Sequence, residues 1–226
     1  MNVHLSAARE PSRPTPPATG WWRTAVVYLT VSICGWLVME LEVLGTRVLT
    51  PYFGSEVYVV MGSVIGVFLL SLAVGYLVGG WLSTLGRGRV WLGALLGVAG
   101  AWLCLLPVLE EPVCDGLLDR GLDEKWGSLV ATLVLFGVPT TILGTVSPTA
   151  VRWLTGRAER AGIHTGLILA LSTLASFAGC VATAFYLVLL SVRTTITVSG
   201  AVLAALGAVV LAAGLAGAPA HRGGSA

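Results

Sequence analysis

The first long apolar segment of this sequence carries two carboxylates and a guanidinium. Glu40 and Glu42 lie near its end, and Arg47 follows within two helical turns. An ionisable side chain at membrane depth is costly, so it pairs, faces an aqueous cavity or reaches the interface. Two interpretations stay open. The side chains reach the outer headgroups, or they form a cation site or interhelical lock in which a glutamate is the acceptor and Arg47 is its counter-ion.

Hydroxyl side chains share one face of the fifth apolar segment. Thr165, Ser172, Ser176 and Thr183 lie on this face with Gly179, because they recur at steps of about three, four and seven residues. Such a face either packs against a partner helix, with its hydroxyls bonded to backbone carbonyls, or lines a polar cavity. Ser172 and Ser176 are therefore candidate binding residues.

Glycines spaced four residues apart recur in the second and third apolar segments. Each pair is a GxxxG motif, which lets helix backbones approach closely in lipid. We therefore predict helix-packing faces at Gly62, Gly66, Gly75, Gly79, Gly93 and Gly97, and at Gly179 in the fifth segment.

The second and fifth segments also match at a fixed offset. The matched positions are Gly62 with Gly166, Gly66 with Ala170, Gly75 with Gly179, and Gly79 with Thr183. Because the two segments would run in opposite directions, the match indicates an inverted repeat of three helices, as found within each half of a major facilitator transporter. The predicted fold is all-α, an integral membrane protein of six transmembrane helices that resembles half of that fold.

The fourth apolar segment contains residues that interrupt helices. Pro139 and Pro148 each remove a backbone hydrogen bond, and Gly144 lies between them. We predict a helix break over these residues. A broken helix is tolerated at membrane depth where protein or a cavity satisfies the freed carbonyls, so the break is either a structural kink or part of an ion site.

The stretch from Glu110 to Trp126 is acidic. It holds six carboxylates against Arg120 and Lys125, a local charge of −4. An acidic mouth would raise the local concentration of cationic solutes such as polyamines. The alternative is a solvated loop with no binding role.

Composition limits the class of protein. The 226 residues are 56% hydrophobic and 11% charged, against about 25% charged in a soluble domain, which excludes a soluble globule and a disordered chain. Six spans of about 20 residues fit the chain and leave no room for an added enzyme domain. The basic residues are too dispersed for a nucleic-acid footprint, and the four cysteines lack paired or metal-ligand spacing. We expect no nucleic acid, disulfide, metal or cofactor.

Six apolar stretches define a predicted membrane domain at residues 24–215. It lies between a disordered, Pro-rich cytoplasmic tail at 1–23 and a short cytoplasmic tail at 216–226. The predicted spans are 24–44, 57–82, 90–108, 127–151, 163–190 and 195–215. With the N-terminus inside, nine Lys and Arg residues fall on inner segments and four on outer ones. The positive-inside rule then predicts that both termini lie in the cytoplasm. We expect the membrane to be a bacterial-type inner membrane.

Four runs of residues resemble a known family. They are LEVLGTRVLTPYFGS at 41–55, GSVIGV through GYLVGG at 62–80, LGTVSP at 143–148 and LALSTL at 169–174. Together these runs resemble the membrane domain of spermidine synthase-like proteins, in which a major-facilitator-like domain is fused to an aminopropyltransferase domain.

The resemblance implies roles for individual residues. Glu42 and Arg47 match the family's charged pair in its first helix, Tyr52 falls in its outer turn, and Pro148 and Arg152 match the end of its fourth helix. The loop at 83–89 lacks the Asp that many relatives carry. Because the aminopropyltransferase domain is missing, we expect no catalysis. The candidate substrate-binding residues are then Glu40, Glu42, Arg47, Tyr52, Ser172 and Ser176.

These features predict a multi-pass membrane protein of the transport or solute-binding type. Its solute would be a small cation such as a polyamine, and its partners the lipid bilayer and a second copy that completes a twelve-helix homodimer. The alternative is a non-catalytic anchor or assembly subunit for a separately encoded enzyme or membrane complex. Helix packing and cavity lining use the same small and hydroxylated residues, so the sequence leaves both open.

Overall fold

The protein is almost entirely helical in the part of the chain that its structure describes. A computed structural model describes residues 21–54, 56–85, 88–154 and 161–216; it is 92% helix, with no strand in that part of the chain. The all-α prediction is therefore confirmed. Most of both predicted tails lies outside the described residues.

Six helical stretches of the described chain are long and apolar enough to cross a membrane, with α4 and α5 forming one stretch. The elements in those residues are α1 Trp21–Phe53, α2 Val57–Leu82, α3 Gly88–Leu118, α4 Glu124–Gly144, α5 Val146–Leu154, α6 Ala161–Phe185, a 3₁₀ turn Leu187–Leu189, and α7 Val192–Ala216. The helices α1 and α3 continue about nine residues beyond the predicted spans. Hydropathy locates only the apolar part of a helix, whereas backbone hydrogen bonding continues through the polar residues that follow.

Three helix pairs make the most extensive contacts, namely α3 with α7, α2 with α4, and α1 with α6. Glycines allow the backbones to approach at each contact, because a methyl group there would overlap the facing helix. These close approaches are Gly93 and Gly100 against α7, Gly75 against α4, Gly79 against Thr145 and α5, and Gly179 against α1. Such approaches increase van der Waals contact between helices.

Two of the predicted packing glycines make no such contact. Gly62 and Gly66 are exposed, and among the described residues no atom beyond the glycine's own stretch of helix lies within 4 Å of the place where a Cβ would stand. Gly97 also has open space there, although its backbone lies against Gly207 of α7. The packing predicted for Gly62 and Gly66 is therefore not made by the described residues of this chain. A GxxxG spacing identifies a face that can pack, but the arrangement of the helices decides which faces do.

The helix break in the fourth segment lies at Thr145, between α4 and α5. Pro148 has no N–H, so the carbonyl of Gly144 lacks its usual helical donor. The chain tightens at this point, where the N–H and hydroxyl of Thr145 both donate to the carbonyl of Ile142, at 3.0 and 2.7 Å. The break thus falls between the predicted Gly144 and Pro148.

Pro139, by contrast, lies inside a continuous α4. Its missing N–H frees the carbonyl of Leu135, four residues earlier. The indole N–H of Trp102 in α3 donates to that carbonyl at 2.9 Å. A neighbouring helix therefore supplies the donor that Pro139 lacks, and α4 is not interrupted there.

Contacts between helix termini distinguish the two ends of the bundle. At the Phe53 end, α1 finishes beside the start of α4, and Arg193 of α7 pairs with Glu110 of α3 at 3.0 Å. At the opposite, Arg89 end, the guanidinium of Arg89 lies 5.3 Å from the ring centroid of Trp153 in α5.

Candidate functional site

A cavity of about 620 Å³ lies between α1, α6 with the 3₁₀ turn that follows it, and α7. Its volume is within the range of small-molecule pockets, about 300–1,000 Å³. Apolar side chains from all three helices form most of its wall. Hydroxyl groups also line it, from Ser32, Ser191, Thr194, Thr195 and Ser199.

Glu40 is the charged residue of this cavity. No other residue that lines the cavity within the described chain is acidic or basic. Glu40 itself is buried, with 2% of its surface exposed. The indole N–H of Trp36 donates to Oε2 at 2.7 Å, and the hydroxyl of Ser199 donates to Oε1. The carboxylate is thus held from α1 and from α7 by neutral donors.

Helical periodicity explains why α1 presents this group. Ser32, Trp36 and Glu40 are four residues apart, so they lie on one face, with Ile33 and Leu37 beside them. The indole of Trp36 reaches the carboxylate one turn further along the same face. This face of α1 therefore places an apolar wall, an aromatic ring and a carboxylate in one cavity.

The cavity extends along α7 from the Phe53 end toward the middle of the bundle. Its lining on this side runs from Ser191, the residue before α7, to Val202, about 16 Å at 1.5 Å per residue. Glu40 meets this stretch at Ser199, nearer its inner end. A solute bound to Glu40 would therefore lie below the Phe53 end, between α1 and α7.

The other charged candidates lie elsewhere. Glu42 is half-buried and Arg47 is exposed, and neither lines the Glu40 cavity. In the described chain, no ion pair joins Arg47 to either glutamate. At the Phe53 end, Arg193 instead contacts Glu110 at 3.0 Å and Glu111 at 3.9 Å. The structure thus separates the groups whose proximity in sequence indicated a charged pair.

A second cavity of about 280 Å³ lies on the opposite face of α1. Ser172 and Ser176 line it together with Gly35, Gly144 and Ser147 at the α4 break. The hydroxyl of Ser176 also donates to the carbonyl of Gly35 at 2.9 Å. The hydroxyl face of α6 therefore both packs against α1 and lines a cavity.

Tyr52 completes the sequence candidates. It is half-buried at the Phe53 end, with its ring centroid 6.4 Å from that of Phe53, and it lines neither cavity. The structure therefore brings Ser172 and Ser176 together, places Glu40 in the larger cavity, and leaves Tyr52 with Glu42 and Arg47 outside both.

Sequence reasoning missed two residues that hold Glu40. The spacing of Trp36 and Glu40, one helical turn, is a signal that could have found the first. Ser199 lies 159 residues away in the chain, and no local pattern connects it with Glu40.

The acidic stretch also differs from expectation. The helix α3 continues to Leu118, so the first half of the predicted outer loop is helical. Glu110 is buried, while Glu111 and Asp115 are exposed. Pro107 and Pro112 lie within α3, which shows that neither proline ends the helix.

The described residues contain no group of three or more His, Cys, Asp or Glu side chains that could hold a metal ion. Comparison of the chain with known protein families, with curated proteins and with solved structures finds no match. The candidate function therefore rests on the chain's own geometry. Its central feature is a carboxylate in apolar surroundings, whose charge a bound cation would offset.

Proposed function

We propose that this protein is a membrane-spanning module that binds and carries a small organic cation, the class that includes polyamines. The observation that carries the proposal is Glu40, a buried carboxylate held by neutral donors in a cavity of about 620 Å³. Ionisable side chains inside membrane helices are rare and usually mark a substrate or ion pathway. The resemblance to spermidine synthase-like membrane domains makes a polyamine the first solute to test.

Exposed tryptophans support insertion in a bilayer. Trp81 and Trp91 are exposed near the Arg89 end, and Trp126 is exposed near the Phe53 end. Indole rings are enriched at both membrane–water interfaces, about one hydrocarbon thickness apart. With the distribution of Lys and Arg in the sequence, we propose that the Arg89 end faces the cytoplasm of a bacterial-type inner membrane.

The pairing of helices supports an inverted repeat. In an inverted repeat, α1 would correspond to α4 with α5, α2 to α6, and α3 to α7. The contact between α1 and α6 would then correspond to the contact between α4 and α2, and the contact between α3 and α7 would correspond to itself. These are the three most extensive contacts. Matched positions also pack alike, since Gly75 lies against Thr141 and Gly179 lies against Trp36. This supports half of a facilitator fold, which a second copy would complete.

Uptake of labelled spermidine into proteoliposomes tests the proposal. Wild-type protein should give uptake above protein-free liposomes. Glu40→Gln should lower it at least about tenfold, because the amide keeps the shape but removes the charge that a cation meets in a low-dielectric site. Glu56→Gln is the matched control, since Glu56 is exposed before α2. Uptake that is equal in protein-free liposomes, or unchanged by Glu40→Gln, would overturn transport of this polyamine.

The exposed glycines of α2 favour a second candidate function, an anchor or assembly subunit. Gly62 and Gly66 form a GxxxG face that contacts no other described helix, so a helix of another protein has room to approach it. Native mass spectrometry after gentle extraction distinguishes the two. A stoichiometric complex with another protein would support the subunit function, and a homodimer that retains a polyamine would support transport.

A further inference from the structure

We infer that the Glu40 cavity binds an amphipathic monoammonium ion, meaning one charged nitrogen on an apolar body, in preference to a polyamine with several charges. The inference rests on the proposed function, because it names the class of cation that the same cavity takes. Three features of the cavity support it: its single carboxylate, the hydrogen bonds that its hydroxyls already make, and its aromatic and aliphatic lining.

The cavity offers one negative charge. Glu40 is the acidic residue that lines it, and no second carboxylate of the described chain does. A monoammonium ion places its only charge beside this group. A diammonium or triammonium ion would leave further charges in apolar surroundings without a partner, which is strongly unfavourable.

Three of the five hydroxyls that line the cavity already donate a hydrogen bond. Ser32 donates to the carbonyl of Tyr28 at 2.9 Å, and Thr195 donates to that of Ser191 at 3.1 Å. Ser199 donates to Glu40. Hydroxyls bonded to their own helix or to Glu40 do little to solvate a second ammonium group. The other two lining hydroxyls, of Ser191 and Thr194, are neutral and offer no second negative charge.

Aromatic and aliphatic side chains complete the site. Trp36 lines the cavity beside Glu40, so an ammonium bound there comes within reach of the indole, the ring that attracts cations most strongly. Leu37, Val198 and Val202 form apolar wall, against which a hydrocarbon body loses contact with water. The site therefore combines one charge with an apolar volume.

Binding to protein in lipid nanodiscs tests the inference, with empty nanodiscs to correct for partition into lipid. The probes are hexylammonium, hexane-1,6-diammonium, spermidine and neutral 1-hexanol, which vary charge at similar chain length. Hexylammonium should bind at least about tenfold more tightly than the other three probes. The diammonium and spermidine would leave an ammonium group without a partner, and 1-hexanol would leave the charge of Glu40 without one. Extending butylammonium to hexylammonium should strengthen binding about fourfold per methylene.

Two variants locate the site. Glu40→Gln should remove the preference for hexylammonium over 1-hexanol. Val202→Trp should fill the cavity and weaken hexylammonium binding at least about tenfold, without changing the groups that bond Glu40. Val209→Trp is its matched control, an exposed valine of α7 that does not line the cavity.

The outcomes separate the inference from the function on which it rests. Tighter, Glu40-dependent binding of spermidine or the diammonium would overturn the monoammonium inference and leave cation binding in place. Equal binding of 1-hexanol, or hexylammonium binding unaffected by Val202→Trp, would also overturn it. Failure of every cation to bind in a Glu40-dependent way would overturn the proposed function as well.

Discussion

Two glutamates of α1 illustrate what a single residue's surroundings decide. Glu40 and Glu42 have the same side chain and lie two residues apart in α1. Glu40 is nevertheless buried in the cavity, whereas Glu42 is half-buried outside it. Two residues turn a helix by about 200°, so the pair cannot share a face. Burial beside a cavity, and not proximity to Arg47, makes Glu40 the stronger candidate.

The bond from Trp36 to Glu40 gives a prediction for a single side chain. Trp36→Phe keeps an aromatic ring but removes the N–H that donates to Oε2, so the protein should lose about 1–2 kcal/mol of unfolding free energy. Titration with sodium dodecyl sulfate in mixed micelles measures it. Trp91→Phe, at an exposed tryptophan, is the control. Equal effects of the two substitutions would contradict a specific role for this bond.

At the scale of helices, a side chain of one helix supplies a hydrogen-bond donor that the backbone of a neighbouring helix lacks. The indole of Trp102 donates to the carbonyl that Pro139 frees. Trp102→Phe should therefore cost about 1–2 kcal/mol of unfolding free energy, because a buried carbonyl loses its donor. In a Pro139→Ala background the residue at 139 regains an N–H, so the same substitution should cost less.

This double-mutant cycle is measured by the same titration. The coupling between positions 102 and 139 should be on the order of 1 kcal/mol. If Trp102→Phe costs the same with proline or alanine at position 139, the indole does not compensate for the missing N–H.

Glycines of α2 predict how the helix responds to an added methyl group. Gly75→Ala should destabilise the protein by about 1–3 kcal/mol, because the methyl would overlap the backbone of Thr141 in α4. Gly62→Ala has open space, so it should be neutral or stabilise by up to about 1 kcal/mol through helix propensity. The difference in unfolding free energy between the two variants checks the packing, and its absence would count against the contact of α2 with α4.

At the scale of the whole molecule, the exposed face of α2 gives a prediction about assembly. If a homodimer forms through this face, native mass spectrometry should show a dimer, and Gly66→Leu should convert it to monomer by blocking close helix approach. Gly116→Leu is the control, since this α3 position has the same open space. A dimer that survives Gly66→Leu would exclude the α2 face as the contact, and a monomeric wild type would contradict the homodimer.

Much of the architecture follows from the sequence alone. The number of long apolar helices, the all-α fold and the interruption between Gly144 and Pro148 depend on local properties, namely hydropathy over a span and the missing N–H of proline. The prediction from these local properties was wrong for the first half of the acidic stretch, which was expected to be a loop. There α3 continues through Pro107 and Pro112. Contacts with other helices stabilise a helix beyond what its own residues favour.

The site depended on tertiary structure. Periodicity indicates which residues share a face of one helix, but it says nothing about what stands opposite that face. Only the packing of α1 with α6 and α7 brought Ser199 to Glu40, opened a cavity beside the pair and left Arg47 exposed. Helix formation is local because its hydrogen bonds join residues four apart, whereas this site joins residues 159 positions apart, and only the folded chain relates them.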